Sequence, residues 1–131
     1  IVITDSANDC VSVLDSQGVF KFKFGCRGQR RDEFVSPAGV SIDDQDRIFV
    51  ADKGNHRVQM FTGEGNFLGF VVRYSQGEDV YLTVEDICAP WPCGLAVLLR
   101  GSRDAEVGEV RVYAYSDLSF DYKTYRMVLY C

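Results

Sequence analysis

The chain repeats itself. Ile3-Thr4-Asp5-Ser6-Ala7-Asn8-Asp9-Cys10-Val11-Ser12-Val13-Leu14 lies over Val50-Ala51-Asp52-Lys53-Gly54-Asn55-His56-Arg57-Val58-Gln59-Met60-Phe61 at a constant offset of 47 residues. The register runs on through the next turn, where Gly18 falls on Gly65 and Phe20 on Phe67. In both copies short apolar runs are broken by Asp, Asn and Gly. Such runs form strands, and the breakers supply the turns between them.

A period in the forties, made of short strands and tight turns, predicts the blade of a β-propeller. In the better copy the strands are expected at Gly39–Ile42, Arg47–Ala51, Arg57–Phe61 and Phe67–Val72, with turns at 43–46, 52–55 and 62–66. A blade cannot bury both faces alone, and closed rings need about four to eight of them. The 131 residues hold about three. The expected architecture is therefore all-β, an incomplete propeller: 1–24 end one blade, 25–72 form a complete one, and 73–131 form a degenerate last blade with a terminal strand. The start at Ile1-Val2-Ile3, in mid-strand and without Met or a signal-peptide pattern, reads as that of a fragment.

The last blade is legible only at a shifted offset. Pro92-Cys93-Gly94-Leu95-Ala96-Val97 lies over Pro37-Ala38-Gly39-Val40-Ser41-Ile42 at 55 residues, and Arg111-Val112-Tyr113-Ala114-Tyr115 over Arg57-Val58-Gln59-Met60-Phe61 at 54. This places Gly94–Val97 on a first strand, Leu98–Arg100 near a second and Tyr125–Leu129 late in the blade. The Asn-His-Arg phrase is replaced there by Glu109-Val110-Arg111, and 101–108 make a longer loop.

The ordered string Phe34-Val35-Ser36-Pro37-Ala38-Gly39-Val40-Ser41-Ile42-Asp43, Arg47-Ile48-Phe49-Val50-Ala51-Asp52, Asn55-His56-Arg57-Val58-Gln59-Met60-Phe61 and Gly65-Asn66-Phe67-Leu68 resembles one full NHL repeat. Phe22-Lys23-Phe24-Gly25-Cys26-Arg27-Gly28 is similar to the family's blade-ending phrase. The resemblance covers residues 1 to 72. It implies a non-catalytic binding module, as in the C-terminal propeller of tripartite-motif (TRIM-NHL) proteins, choosing protein substrates for a RING-type E3 ubiquitin ligase. The alternative it implies is a propeller that binds single-stranded RNA in post-transcriptional regulation. Ligase chemistry, zinc and a coiled coil for oligomerisation would belong to RING, B-box and coiled-coil regions outside this chain.

Composition narrows the classes further. The formal net charge of −5 opposes a generic polyanion binder, whose affinity rests on neutralising phosphates. Five cysteines at 10, 26, 88, 93 and 131 show no disulfide framework, which points to a reducing, cytoplasmic setting. Cys88 and Cys93 flank two prolines with no nearby His, a spacing unlike a zinc site, and no cofactor is expected in the chain. One His, no Gly-x-Ser-x-Gly elbow and no apolar run long enough to span a bilayer leave neither a catalytic constellation nor a membrane anchor.

Strands alternate in direction within a blade, so 25–36 and 52–57 share one face. That face gathers Arg27, Arg30, Arg31, Lys53, His56 and Arg57 as a basic patch. Asp5, Asp9, Asp32, Glu33, Asp52, Glu78, Asp79, Glu85, Asp86, Asp104, Glu106 and Glu109 fall on the same side and confine it to the junction of the first two blades. The plain reading of Asp52, Asn55 and Arg57 is scaffold, because an Arg opening a strand can bond the carboxylate that ends the strand before it. His56 reads as a loop side chain. Three arginines in a Gly-bounded loop are not required by strand geometry, and arginine suits planar carboxylate and phosphate groups. Trp91, between two prolines in the loop entering the third blade, is the other candidate anchor. The tyrosines and phenylalanine at 113, 115, 120, 122, 125 and 130 read as packing between blades.

Overall fold

The computed structural model describes residues 1–73, 82–91, 94–101, 107–116 and 119–130. The first sheet has three antiparallel strands in sequence order, β1 (Val2–Asp5), β2 (Cys10–Leu14) and β3 (Phe20–Phe24). Two short strands, β4 (Cys26–Arg27) and β5 (Glu33–Phe34), then pair in parallel within the connecting loop. A four-stranded antiparallel sheet follows, with β6 (Pro37–Ile42), β7 (Ile48–Asp52), β8 (Arg57–Phe61) and β9 (Phe67–Arg73). A second four-stranded sheet comprises β10 (Leu82–Trp91), β11 (Gly94–Gly101), β12 (Val107–Ser116) and β13 (Ser119–Tyr130).

The middle sheet explains why the repeat looks as it does. Every residue of β7 and β8 is buried, because the sheet is covered on both sides. Alternation therefore sorts side chains between two cores rather than between core and water. Ile48, Val50 and Phe61 point toward the first sheet and join Val11 and Phe34, with Val2, Val13, Phe24, Val40 and Phe67 packed around them. Phe49, Ala51, Val58 and Met60 point the other way and meet Val84, Ile87, Leu95, Val97 and Leu99 of the third sheet. Phe24, Phe34 and Phe61 pack as tilted rings, the closest pair with centroids 4.9 Å apart.

Adjacent sheets are also tied by polar contacts. Thr4 and Ser6 donate their hydroxyls to the carbonyls of Ala38 and Pro37. On the opposite side, β10 runs so close to β6 that a Cβ at Gly39 would lie 2.8 Å from the backbone of Asp86 and Ile87. Only glycine admits that approach. The repeated turns match as well: Asp15 Oδ1 accepts the amides of Gln17 and Val19, as Thr62 Oγ1 accepts those of Glu64 and Asn66 at the equivalent place.

In the second repeat the strands fall where the sequence pattern predicts them, within a residue or two. The third sheet requires a correction. Gly94–Val97 begins β11, the second strand of its sheet, and Leu98–Arg100 continue the same strand. The first strand is Leu82–Trp91, so Trp91 closes a strand opposite Gly94 rather than sitting in a loop. An offset between two alternating strands is satisfied equally well by any strand of the sheet, and the Pro-x-Gly match carried no information about pairing. Arg111–Tyr115 do lie on the third strand, as expected.

Candidate functional site

The loop between the first two sheets, residues 25–36, crosses the end of the middle sheet and is held there by side chains of β7 and β8. Asp52, fully buried at the end of β7, accepts the amide of Val35 on Oδ1 at 2.8 Å. Its Oδ2 takes Arg57 Nε at 2.6 Å, and Asn55 Nδ2 sits 2.8 Å away. Arg57 then turns its remaining nitrogens outward to the loop. Nη1 donates to the Gln29 carbonyl at 2.7 Å, and Nη2 donates to those of Arg30 at 2.6 Å and Glu33 at 2.8 Å. Its guanidinium also lies over the Phe70 ring, 5.0 Å from the centroid.

Two further amides complete the clamp. Asn55 Nδ2 donates to the Gly28 carbonyl at 2.8 Å, and Gln59 Nε2 to the Glu33 carbonyl at 2.7 Å while Gln59 Oε1 accepts the Asp32 amide. A loop crossing a sheet end would otherwise leave these backbone groups partly desolvated and unpaired, at a cost of about 1–3 kcal/mol each. Planar guanidinium and amide groups present several donors in fixed directions, which is why this place carries Arg, Asn and Gln. The phrase that reads most like a motif is thus a clamp on the loop. Gln59 was not foreseen; a polar residue between Val58 and Met60 in a buried strand is the sequence signal that marks it.

The candidate contact residues separate accordingly. Arg57 is 3% exposed with its guanidinium engaged inside the chain, the scaffold role expected from its position after Asp52. His56 is half-buried in the left-handed conformation (φ 52°), closing the single 3-10 turn Lys53–Asn55 by donating its amide to the Lys53 carbonyl. Lys53 reaches across to the third sheet and pairs with Glu85 at 2.9 Å. The Trp91 side chain lies outside the described residues.

Arg27, Arg30 and Arg31 are exposed on the clamped loop. Arg27 stands 3.7 Å from Asp9, and Arg30 stands 3.8 Å from Glu33. Both distances exceed that of a hydrogen-bonded ion pair. Both carboxylates already accept backbone amides, Asp9 that of Ser36 at 2.6 Å and Glu33 that of Arg30 at 2.9 Å. The two arginine side chains are 82% and 88% exposed, so these pairs compete weakly with an outside ligand. The acidic residues expected on this face do dilute it: Asp9, Glu33 and Glu85 each sit beside one of its cations.

Beside this loop, on the far face of the first sheet, lies an open depression of about 500 Å³ lined by Asp5, Asn8, Cys10, Ser12, Lys23, Gly25, Cys26 and Arg27. Asn8 Nδ2 donates to Asp5 Oδ2 at 2.8 Å. That bond, then the Asn8 backbone amide, holds the Asp5 carboxyl below its ordinary value of 3.8. Among the described residues no group of three or more His, Cys, Asp or Glu side chains is placed to hold a metal ion, and no helix is long and apolar enough to cross a membrane.

Repeated antiparallel sheets joined by a clamped loop are the architecture of β-propeller blades, and residues 34–61 match the NHL repeat. Relatives that match over short stretches are TRIM-NHL proteins. The chain is 43% identical over 49 residues to Protein brain tumor of Drosophila melanogaster, a match covering 37% of this chain and 5% of that protein. It is 44% identical over 46 residues to Tripartite motif-containing protein 3 of Mus musculus, covering 35% and 6%. It is 35% identical over 66 residues to E3 ubiquitin-protein ligase TRIM32 of Homo sapiens, covering 50% and 10%. The matches thus span a tenth or less of these relatives. These short matches support a binding module of the NHL-repeat kind.

Proposed function

We propose that the module binds a protein, through Arg27, Arg30 and Arg31, and selects it as the substrate of a TRIM-type E3 ubiquitin ligase. The observation that carries this reading is the contrast within one loop: its backbone is clamped by the buried Asp52, Arg57 and Gln59 and the half-buried Asn55 while its three arginines face solvent. A fixed loop loses little conformational entropy on binding, and arginine is enriched among residues that dominate interfaces. TRIM32 of human and of mouse is named an E3 ubiquitin-protein ligase, which supports the ligase setting. Zinc and the transfer chemistry belong, in this reading, to parts of the parent protein outside these residues, and the setting is cytoplasmic.

The test is charge reversal. Arg27→Glu, Arg30→Glu and Arg31→Glu together should abolish capture of protein partners by the intact parent protein and lower ubiquitylation of the captured set, with the circular dichroism spectrum unchanged. Retained capture sinks the proposal. The second reading, single-stranded RNA, is supported by the same exposed cations. It requires binding to a uridine oligonucleotide at about 50 mM salt that weakens steeply as salt rises and is lost in the triple variant.

A further inference from the structure

The last strand of the middle sheet carries an irregularity that bears on the arginine loop. Between β8 and β9, Gln59 faces Phe70 and Val58 faces Val72, which leaves Val71 as an extra residue. In a regular strand the odd separation of Phe70 and Arg73 would set them on opposite faces. The bulge reverses the alternation after Phe70. Arg73 therefore falls opposite Arg57, on the face that Arg57 and Gln59 turn to loop 25–36. Val71 and Val72 are both buried in the core toward the third sheet, which holds the bulge in place.

Phe70 is the half-buried platform of this face. The Arg73 guanidinium lies 4.2 Å from its ring centroid, closer than that of Arg57 at 5.0 Å, and Phe67 meets the ring edge-on at 5.0 Å. The two cations differ in what they have left to give. Arg57 is buried and spends its donors on Asp52 and on the carbonyls of Gln29, Arg30 and Glu33. Arg73 is exposed, and among the described residues it pairs with no carboxylate. A guanidinium laid on a ring is held in plane, so its N–H edge stays directed outward for a bidentate carboxylate. Through the shared ring, Arg73 stands beside the clamp of the loop whose Arg30 and Arg31 face solvent.

We propose that Arg73, braced on Phe70, is a further contact residue of the arginine loop, and that the site takes an acidic segment of the protein partner, its Asp or Glu carboxylates bridging Arg73 and the loop arginines. This rests on the reading of the loop as a protein-binding surface. The chemistry favours carboxylates over the phosphates of RNA. Proteins that hold single strands stack bases on open rings, whereas Phe70 already carries two guanidinium groups and the edge of Phe67. Asp9 and Glu33 beside Arg27 and Arg30, with a formal net charge of −5, weaken the long-range field that a polyanion needs. A bidentate carboxylate pair depends on contact geometry instead.

The test is titration of the intact parent protein with a fluorescent hexaglutamate peptide at about 50 mM salt, with hexaglutamine and hexauridylate as controls. Hexaglutamate should bind and hexaglutamine should not, and Arg73→Ala should weaken hexaglutamate at least about tenfold. Arg73→Lys keeps the charge but loses the planar fork, and should recover only part of that loss. Hexaglutamate binding that Arg73→Ala leaves unchanged, or that Arg73→Lys retains in full, overturns the role given to Arg73. Absent hexaglutamate binding, or tighter binding of hexauridylate, overturns the carboxylate chemistry. The two readings fail separately. Should Arg73→Ala change nothing while the triple loop variant abolishes partner capture, this inference falls and the proposed function stands. Should the triple variant retain capture while Arg73→Ala weakens hexaglutamate, the proposed function falls instead.

Discussion

Asp52 and Asp5 stand at the same place in two successive repeats and carry different loads. Asp52 is fully buried and receives Arg57, Asn55, Gln59 and the Val35 amide, tying four segments of chain together. Asp5 is half-buried and holds only its own turn, through the amides of Ala7 and Asn8 and the Asn8 side chain. Both sheets form all the same. The clamp is therefore not what makes a blade; short alternating strands do that, and the clamp fixes the loop that presents the arginines. What separates the two sites is one substitution pair, Arg57 and Gln59 against Cys10 and Ser12.

That contrast is broken most directly at Arg57. Arg57→Ala leaves the buried Asp52 carboxylate without its cation and should cost about 3–5 kcal/mol in urea unfolding, whereas Cys10→Ala, which breaks no pair, should cost about 1 kcal/mol. Equal losses would erase the distinction between clamp and open seat. The next effect lies where the loop leaves β3. Gly25 has φ of +86°, and a Cβ there would come within 2.3 Å of the Phe34 ring. Gly25→Ala should destabilise by about 1–3 kcal/mol through strain and displacement of Phe34, read as a lowered Tm.

Smaller effects sharpen the same picture. Lys53→Ala removes the half-buried bridge to Glu85 and should cost about 1 kcal/mol or less, and its effect should shrink at high salt. Asn8→Ala should let the Asp5 carboxyl rise toward its ordinary value, followed by NMR titration. The sign is fixed by the folded value lying below 3.8. The contribution is present above that pH and is lost as pH falls through the folded value, so in Asn8→Ala the acid limb should lose that component of its steepness.

Much of this was legible because alternation and turn chemistry are local. The pattern of apolar runs and turn residues placed all four strands of the second repeat, strand alternation set 25–36 beside 52–57, and the Asp52–Arg57 pair followed from the strand ends alone. The third sheet was misregistered because strands of like pattern are interchangeable until their pairing is known. Lys53 was expected as part of the basic patch, yet it pairs with Glu85, 32 residues away in another sheet. Nothing in local composition brings those two together.

The sequence by itself determined the period, the strands and the loop that carries three arginines, since backbone conformation at turns and alternating burial are written residue by residue. Only the tertiary structure decided which arginine is scaffold and which is surface. Burial of a guanidinium depends on where distant carbonyls converge, and the carbonyls of Gln29, Arg30 and Glu33 reach Arg57 only after the two sheets have packed.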